Sequence, residues 1–312
     1  MTGWFAIYSL LAAVAVGVLL AARVVGGLCM RRRHHRDAAL RGEYLHILMM
    51  ALMTGDEQPP HFPLLASAGA RMLLAETVAG VVDVTYGLDT EVLRRIVTHY
   101  KIDRYLLRRV RFTSGYRRAR CLALIGRLPM TATTADRLTR YSRSASRHVR
   151  FQTLMAQLSI APETALDRIA DFGAPLTACE VAEMMALLRR GMLPVAYEPL
   201  VASPNRNLRT IGLAIVRQFG IEQAETQLLH VVANDLPELS REALYILCSM
   251  HCEVVRREVT TPLAAMSVAD RKALLRYMVF EGYSSRVLRR LFAPQELPYS
   301  ETLVQSFKRC LA

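Results

Sequence analysis

The segment RARCLALIG at residues 118–126 belongs to a series of similar segments that decides the fold of this chain. Each copy places an arginine shortly before small and aliphatic residues. The other copies are HVRFQTLMA at 148–156, NLRTIGLAI at 207–215, LSREALYIL at 239–247 and, more weakly, ADRKALLRY at 269–277. The arginines fall at positions 120, 150, 209, 241 and 271, which gives a period of about thirty residues. A fixed period of this length is typical of proteins built from stacked structural repeats.

The interval from Arg150 to Arg209 covers two periods, and the copy between them carries Glu180 in place of arginine. The apolar spacing in each copy predicts a helix of about twelve residues, followed by a turn and a second apolar helix. Runs of alternating apolar and polar residues, which would indicate β-strands, are missing from the sequence. We therefore predict an all-α domain over residues 37–312, made of stacked antiparallel helix pairs.

The pattern resembles HEAT repeats, specifically the short bacterial kind. In that family a polar or charged residue near the start of the first helix precedes small and aliphatic residues. The resemblance is clearest over residues 112–250, and it implies an α-solenoid in which each helix pair buries its apolar face against its neighbours. An irregular helical bundle is the alternative. Six small residues are expected to allow close helix contacts: Ala119, Ala123, Gly126, Gly212, Ala214 and Ala243.

The first thirty residues, 1–30, predict a single transmembrane helix. Trp4 to Ala22 is a run of nineteen residues without a charge, and about 20 apolar residues cross a bilayer. A cleaved signal peptide is the alternative, but its positive charge would precede the apolar run. Here a basic juxtamembrane segment, 31–36, follows the run and contains Arg31, Arg32, Arg33 and Arg36. Because basic residues stay on the cytoplasmic side, we expect the helical domain at the cytoplasmic face of a bacterial inner membrane.

The net charge of +13 is concentrated in one window. Residues 104–150 contain thirteen arginines and a single acidic residue, Asp136, although codon usage would act on the whole chain. Arg120 and Arg150 occupy the repeated position and are expected to be structural. Ten other arginines are predicted to form a basic partner-binding surface: Arg104, Arg108, Arg109, Arg111, Arg117, Arg118, Arg137, Arg140, Arg143 and Arg147. Aromatic residues interleave with them, namely Tyr105, Phe112, Tyr116 and Tyr141.

Three kinds of partner suit such a surface. The first is an acidic or membrane-embedded protein, and the second is the anionic lipid of the cytoplasmic leaflet. The third is nucleic acid, bound through its phosphates. The alternative to all three is a solvated surface balanced by acidic residues elsewhere. The sequence argues against nucleic acid, because the HEAT-like DNA glycosylases need an aromatic cradle and a catalytic carboxylate. The one tryptophan, Trp4, lies in the predicted anchor instead.

Patterns for catalysis or metal binding are few. A Gly-rich phosphate loop, GxSxG and HExxH are all missing from the sequence. Cys248 and Cys252 lie one helical turn apart, but structural zinc normally needs a second ligand pair. We therefore expect core cysteines, no metal, no cofactor and no enzymatic activity.

These features together predict a non-enzymatic, membrane-anchored scaffold or adaptor that binds a protein partner. The HEAT resemblance implies accessory subunits of membrane complexes, such as an envelope polysaccharide synthase with a membrane glycosyltransferase. Two alternatives come from the same resemblance. One is a nucleic-acid-binding protein related to the alkylpurine DNA glycosylases, and the other is an enzyme related to the bilin lyases.

Overall fold

A computed structural model describes the backbone of residues 2–55, 58–84, 90–189 and 196–311. It also describes their side chains, except at 2–20, 22, 24–26, 28, 29, 33 and 306–311. Among the described residues, the regular secondary structure consists of helices without a β-strand. This confirms the all-α prediction. The contacts divide the chain into two compact units, unit 1 at Met1–Ala161 and unit 2 at Pro162–Ala312. This boundary falls inside the double period between Arg150 and Arg209.

Unit 1 combines one long helix with shorter ones. In chain order they are α1 (Thr2–Thr54), α2 (Ala68–Val84), α3 (Thr90–His99), α4 (Ile102–Phe112), α5 (Gly115–Arg127), α6 (Ala132–Leu138), a 3-10 turn (Thr139–Tyr141) and α7 (Arg147–Ile160). Tyr44 and Leu48 of α1 are fully buried in the same core as Leu74 of α2 and Leu122 of α5. The second half of α1 is therefore part of the unit.

The described residues of unit 2 form a series of mostly short helices. They are α8 (Ala165–Ala170), α9 (Ala178–Arg189), α10 (Glu198–Val201), α11 (Arg206–Phe219), α12 (Glu225–Asn234), α13 (Pro237–Ser249), α14 (Arg257–Ala265), α15 (Val268–Phe280), α16 (Ser285–Leu291) and α17 (Leu297–Leu311). The longer helices α9, α11, α13, α15 and α17 pack each against the next. The shorter α10 and α12 pack against α11 and α13.

Among the residues whose side chains are described, we find no helix with the length and apolar character needed to cross a membrane. The predicted anchor, residues 1–30, falls mostly outside that set, and the side chain of Arg33 also lies outside it. The backbone of α1 is helical from Thr2 to Thr54. The predicted anchor, the juxtamembrane segment and the start of the domain therefore share one continuous helix.

Four helices of unit 1 run parallel to one another, namely α1, α2, α5 and α7. Glu76 of α2 pairs with Arg41 of α1 at 3.2 Å and with Arg120 of α5 at 2.6 Å. Seven residues further along both helices, Arg127 pairs with Asp83. The same relation holds between α5 and α7. There Tyr116 stacks on His148, and Gly126 lies against Ala156.

The contacts between α1 and α2 also advance in step. Arg36 and Leu40 line one cavity with Ala70 and Leu73, near the start of α2. Further along both helices, Leu45 and Met49 line another with Gly80 and Val84. The helices α2, α5 and α7 therefore all begin on the side of unit 1 from which α1 arrives.

Arg241 is the fifth residue of α13, but in α5, α7, α11 and α15 the repeated arginine is the fourth residue of its helix. Its side chain donates to the backbone carbonyl groups that precede the helix. Arg150 donates to Ser144 and Ala145, Arg209 to Ser203, and Arg271 to Met266, all at 2.7–3.2 Å. In α5 this residue is Arg118, whose Nε donates to Thr113 at 2.8 Å and to Val110 at 3.1 Å. The sequence alignment assigned this position to Arg120, so the structure corrects the first copy by two residues.

Glu180 has a different role in the copy that lacks the arginine. Its carboxylate accepts hydrogen bonds from the backbone N–H and the hydroxyl of Thr177, at 2.8 and 3.0 Å. The Thr177 hydroxyl in turn accepts from the backbone N–H of Glu180 at 3.3 Å. This reciprocal capping box satisfies two N–H groups at the start of α9. The substitution therefore replaces a link to the preceding segment with a local helix cap.

Two of the small residues predicted to allow close helix contacts do so. A Cβ atom at Gly126 would lie 2.8 Å from the Cα atom of Ala156, where α5 crosses α7. A Cβ atom at Gly212 would lie 2.8 Å from the backbone nitrogen of Val201, where α11 crosses α10. Both neighbours are backbone atoms, which cannot move aside without shifting a helix. Glycine is therefore required at both crossings.

We expect Gly126→Ala and Gly212→Ala each to lower the free energy of unfolding by about 1–3 kcal/mol, the usual cost of overpacking. The matched control is Gly42→Ala, because a Cβ atom at Gly42 meets nothing within 4 Å. In that exposed helical position alanine should stabilise the protein by up to about 1 kcal/mol. Urea titration of the detergent-solubilised full chain, followed by circular dichroism, measures all three. Equal effects at the crossings and at Gly42 would contradict the close packing.

Candidate functional site

The arginines of α4 lie along its solvent-exposed side. Arg104, Arg108 and Arg111 are exposed and follow one another at helical spacings of four and three residues. The opposite side of α4 is buried, through Ile102, Leu106, Leu107 and Val110. Lys101 is also exposed, three residues before Arg104, and extends the same row. The ten arginines predicted from the sequence do not include this lysine.

Two aromatic side chains stand out from the surface where α4 meets α5. Phe112 is 73% exposed and Tyr116 is 71% exposed. The guanidinium groups of Arg108 and Arg111 lie 6.0 and 5.7 Å from the centre of the Phe112 ring. This distance lies within the range of cation–π attraction. The arrangement exposes an aromatic ring between two positive charges.

Contacts between aromatic and basic side chains extend this region from α5 to α7. The Tyr116 ring stacks on the His148 ring, at 6.4 Å between centres and 5° between planes. The guanidinium groups of Arg118 and Arg140 lie 5.4 and 4.9 Å from the centre of the Tyr141 ring. The end of α4, the start of α5 and the residues before α7 are therefore adjacent.

The predicted set of ten arginines contains members with different environments. Arg118 is half-buried and bound to the end of α4, and Arg147 is half-buried at the first position of α7. The other eight are exposed. We call these eight the arginine surface: Arg104, Arg108, Arg109, Arg111, Arg117, Arg137, Arg140 and Arg143.

Within the part of the chain that the structure describes, no member of the arginine surface forms an ion pair with a carboxylate. Arg109 is held by a neutral group, because its Nη1 donates to the Tyr105 hydroxyl at 2.8 Å. That hydrogen bond is the main cause that raises the pKa of Arg109. Arg120 and Arg127, outside the surface, do pair with carboxylates, on Glu76 and Asp83.

Arginines in unit 2 are paired far more regularly. Arg241 pairs with Asp270 at 2.8 Å, Arg271 with Glu296 at 2.9 Å, and Arg209 with Asp235. Each of these pairs joins one helix to a later segment of the stack. The arginine surface lacks such partners because the sequence supplies only one acidic residue in the window 104–150. It is therefore a local excess of positive charge rather than a paired network.

Of the four arginines predicted to orient the anchor, three have described side chains. These three, Arg31, Arg32 and Arg36, are exposed on α1. Arg36 also lines a cavity with residues near the start of α2. The basic segment 31–36 therefore lies beside the end of unit 1 at which α2 begins.

Cys248 lies in α13, and Cys252 lies in the turn after it. Among the described residues there is no group of three or more His, Cys, Asp or Glu side chains that could hold a metal ion. Cys248 is fully buried, and burial raises its pKa to about 12. Burial also raises the pKa of Cys252. His251 stacks on the Tyr283 ring at 5.5 Å instead of facing the cysteines as a ligand.

A groove of about 640 Å³ lies in unit 2 between α9, α11 and α13. Four of its charged side chains pair with one another, Arg206 with Glu238 and Arg217 with Glu242. This internal pairing distinguishes the groove from the arginine surface, where the positive charge has no described counterpart.

Comparison with known protein families, curated proteins and solved structures found no match to this chain.

Adjacent arginines should separate structural from surface roles. Arg118→Gln removes the donor to two carbonyl groups and should lower the free energy of unfolding by about 1–3 kcal/mol. Arg117→Gln changes an exposed side chain and should stay within about 0.5 kcal/mol of the wild type. Urea titration of the full chain compares the two directly. A larger loss at Arg117 than at Arg118 would overturn the assignment.

The cysteines should differ in reactivity as their environments do. Because the thiolate is the reactive form, the raised pKa and burial of Cys248 should prevent its alkylation by iodoacetamide at pH 8. Cys179 is exposed and should be modified under the same conditions. Mass spectrometry of peptides from the native chain measures each site separately. Equal rates at Cys248 and Cys179 would show that the core around α13 is open.

Proposed function

We propose that this chain is a membrane-anchored, non-enzymatic adaptor of the HEAT-repeat type. In this proposal residues 1–30 cross a bacterial inner membrane, and the helical units lie at its cytoplasmic face. The basic segment 31–36 orients the anchor, because positive charge is retained on the cytoplasmic side. An accessory subunit of an envelope polysaccharide synthase is one assembly that such an adaptor suits.

The observation that carries the proposal is the arginine surface. Clustered like charges repel one another and are usually balanced by nearby acids. Here eight exposed arginines have no carboxylate partner among the described residues. Guanidinium groups form strong paired hydrogen bonds with carboxylates and phosphates. Arginine and aromatic residues are also the types that dominate binding energy in interfaces.

The repeat arrangement supports an adaptor rather than a catalyst. Arginine links and glycine crossings fix the helices of each unit, as at Arg209 and Gly126. A rigid stack of this kind offers extended surfaces to a partner. The HEAT-like character supports a binding role by analogy only, because one fold serves many functions.

Site-specific photocrosslinking in intact membranes tests the adaptor proposal. A photoreactive amino acid replaces Arg104 or Arg137, which are exposed and have no ion pair among the described residues. The matched control replaces Arg286, an exposed arginine of α16 in unit 2. We expect both surface positions to yield an adduct with the same protein, identified by mass spectrometry, and the control position to yield none. Recovery of the chain alone from both surface positions would overturn the proposal.

A further inference from the structure

Glu76 provides a common reference for the ends of two helices. It pairs with Arg41 of α1 and with Arg120 of α5. Arg36 lies five residues before Arg41, and Gly115 lies five residues before Arg120. At 1.5 Å per residue, Arg36 and Gly115 each lie about 7.5 Å back along their helix from the arginine that pairs with Glu76. The two helices are parallel, so both displacements have the same direction. The first residue of α5 is therefore level with Arg36.

The starts of α2 and α7 lie at this level too. Arg36 lines a cavity with Gly69 and Ala70 of α2. The stacking of Tyr116 on His148 aligns the start of α5 with the start of α7. We call this region the helix-start end of unit 1. It faces the direction from which α1 enters, on the side of Arg31 and Arg32.

Much of the arginine surface lies at the helix-start end. Arg108 and Arg111 precede the turn into α5, and Arg117 follows it. Arg140 and Arg143 lie just before α7 and join the same region through the shared contact with the Tyr141 ring. The exposed rings of Phe112 and Tyr116 stand among these arginines. By contrast, Arg104 lies about 12 Å back along α4 from its end.

The backbone at the start of α5 also favours an anion at this end. Ser114 and Ser146 occupy the N-cap positions of α5 and α7, and neither side chain caps its helix. At α5 the Ser114 side chain therefore does not accept from the first N–H groups of the helix, which are the groups that lack a partner within the helix. Helix N-termini carry partial positive charge and favour phosphate groups. These groups add to the charge of the arginines beside them.

We propose that the helix-start end of unit 1 binds the phosphate headgroups of anionic phospholipids, in the same membrane leaflet that the anchor enters. This inference rests on the proposed anchor, because the anchor directs this end towards the bilayer. Guanidinium groups would bind the lipid phosphates. The rings of Phe112 and Tyr116 would enter the interface, where amphipathic aromatic side chains are favoured. Arg104, Arg137 and unit 2 remain available to a protein partner.

Tryptophan fluorescence of the full chain in vesicles tests this proposal. The wild-type chain contains a single tryptophan, Trp4, in the predicted anchor. The variant Trp4→Phe/Phe112→Trp moves the probe to the helix-start end. The control variant Trp4→Phe/Phe219→Trp moves it to an exposed position in unit 2. Each is reconstituted with brominated phosphatidylcholine, which quenches tryptophan in the bilayer, with and without one third phosphatidylglycerol.

Quenching at position 112 should be several-fold stronger with phosphatidylglycerol than without it. High salt should remove the difference, because the Debye length falls to about 3 Å at 1 M. Adding Arg108→Gln, Arg111→Gln and Arg117→Gln should also remove it. The same three changes at Arg286, Arg289 and Arg290 of α16 should leave it unchanged. The probe at position 219 should be quenched in neither lipid.

The outcomes separate this inference from the proposed anchor. Quenching of Trp4 without quenching at position 112 overturns the lipid inference, keeps the anchor and assigns the helix-start end to an acidic protein. Equal quenching at position 112 in both lipids also overturns it, because the headgroup charge would then have no role. If Trp4 is unquenched, the anchor is wrong. Phosphatidylglycerol-dependent quenching at position 112 would then still support lipid binding by the helix-start end.

Discussion

The hydrogen bonds from the fourth-residue arginine of a repeat helix to the carbonyl groups before that helix underlie the packing of both units. A helix start and the segment that leads into it must meet at a fixed angle, and carbonyl groups at such a corner lack helical partners. Arg118, Arg150, Arg209 and Arg271 each supply the missing donors. In unit 2 the same side chains of Arg209 and Arg271 reach an acid of a later segment. One residue type therefore sets the corner of a repeat and its connection to the next.

Arginine has a second role in unit 1, and the supply of acids separates the two roles. Where the sequence places carboxylates nearby, as at Glu76 and Asp83, arginines tie parallel helices together. Around the end of α4 and the start of α5 the acids are missing, and the guanidinium groups stay in solvent beside exposed rings. The parallel packing of α1, α2, α5 and α7 then gathers these charges at one end. The ion pairs that hold the parallel helices of unit 1 together thus determine where the arginine surface lies.

The all-α class could be predicted from the sequence, because the apolar spacing of each copy is that of a helix with one buried side. The sequence also predicted the close crossings at Gly126 and Gly212. The repeated arginine of the first copy could not be identified from the sequence, because Arg118 and Arg120 both precede the same aliphatic run. Only the hydrogen bonds of Arg118 to the carbonyl groups before α5 distinguish the two. The sequence could not predict that Arg118 and Arg140, which are distant in the chain, would both contact the Tyr141 ring. The proposed anchor and the HEAT relationship remain predictions.

Hydrogen exchange of the full chain in native-like membranes, compared with the same chain in detergent, tests most directly whether the unpaired arginine surface is occupied. The Ser114 side chain does not cap α5, so the first N–H groups of α5 should exchange fast when this end is free. The account predicts slower exchange in membranes across residues 113–117 and 145–149, and unchanged exchange in α16 with its exposed arginines. Equal exchange at these helix starts in membranes and in detergent would contradict the account.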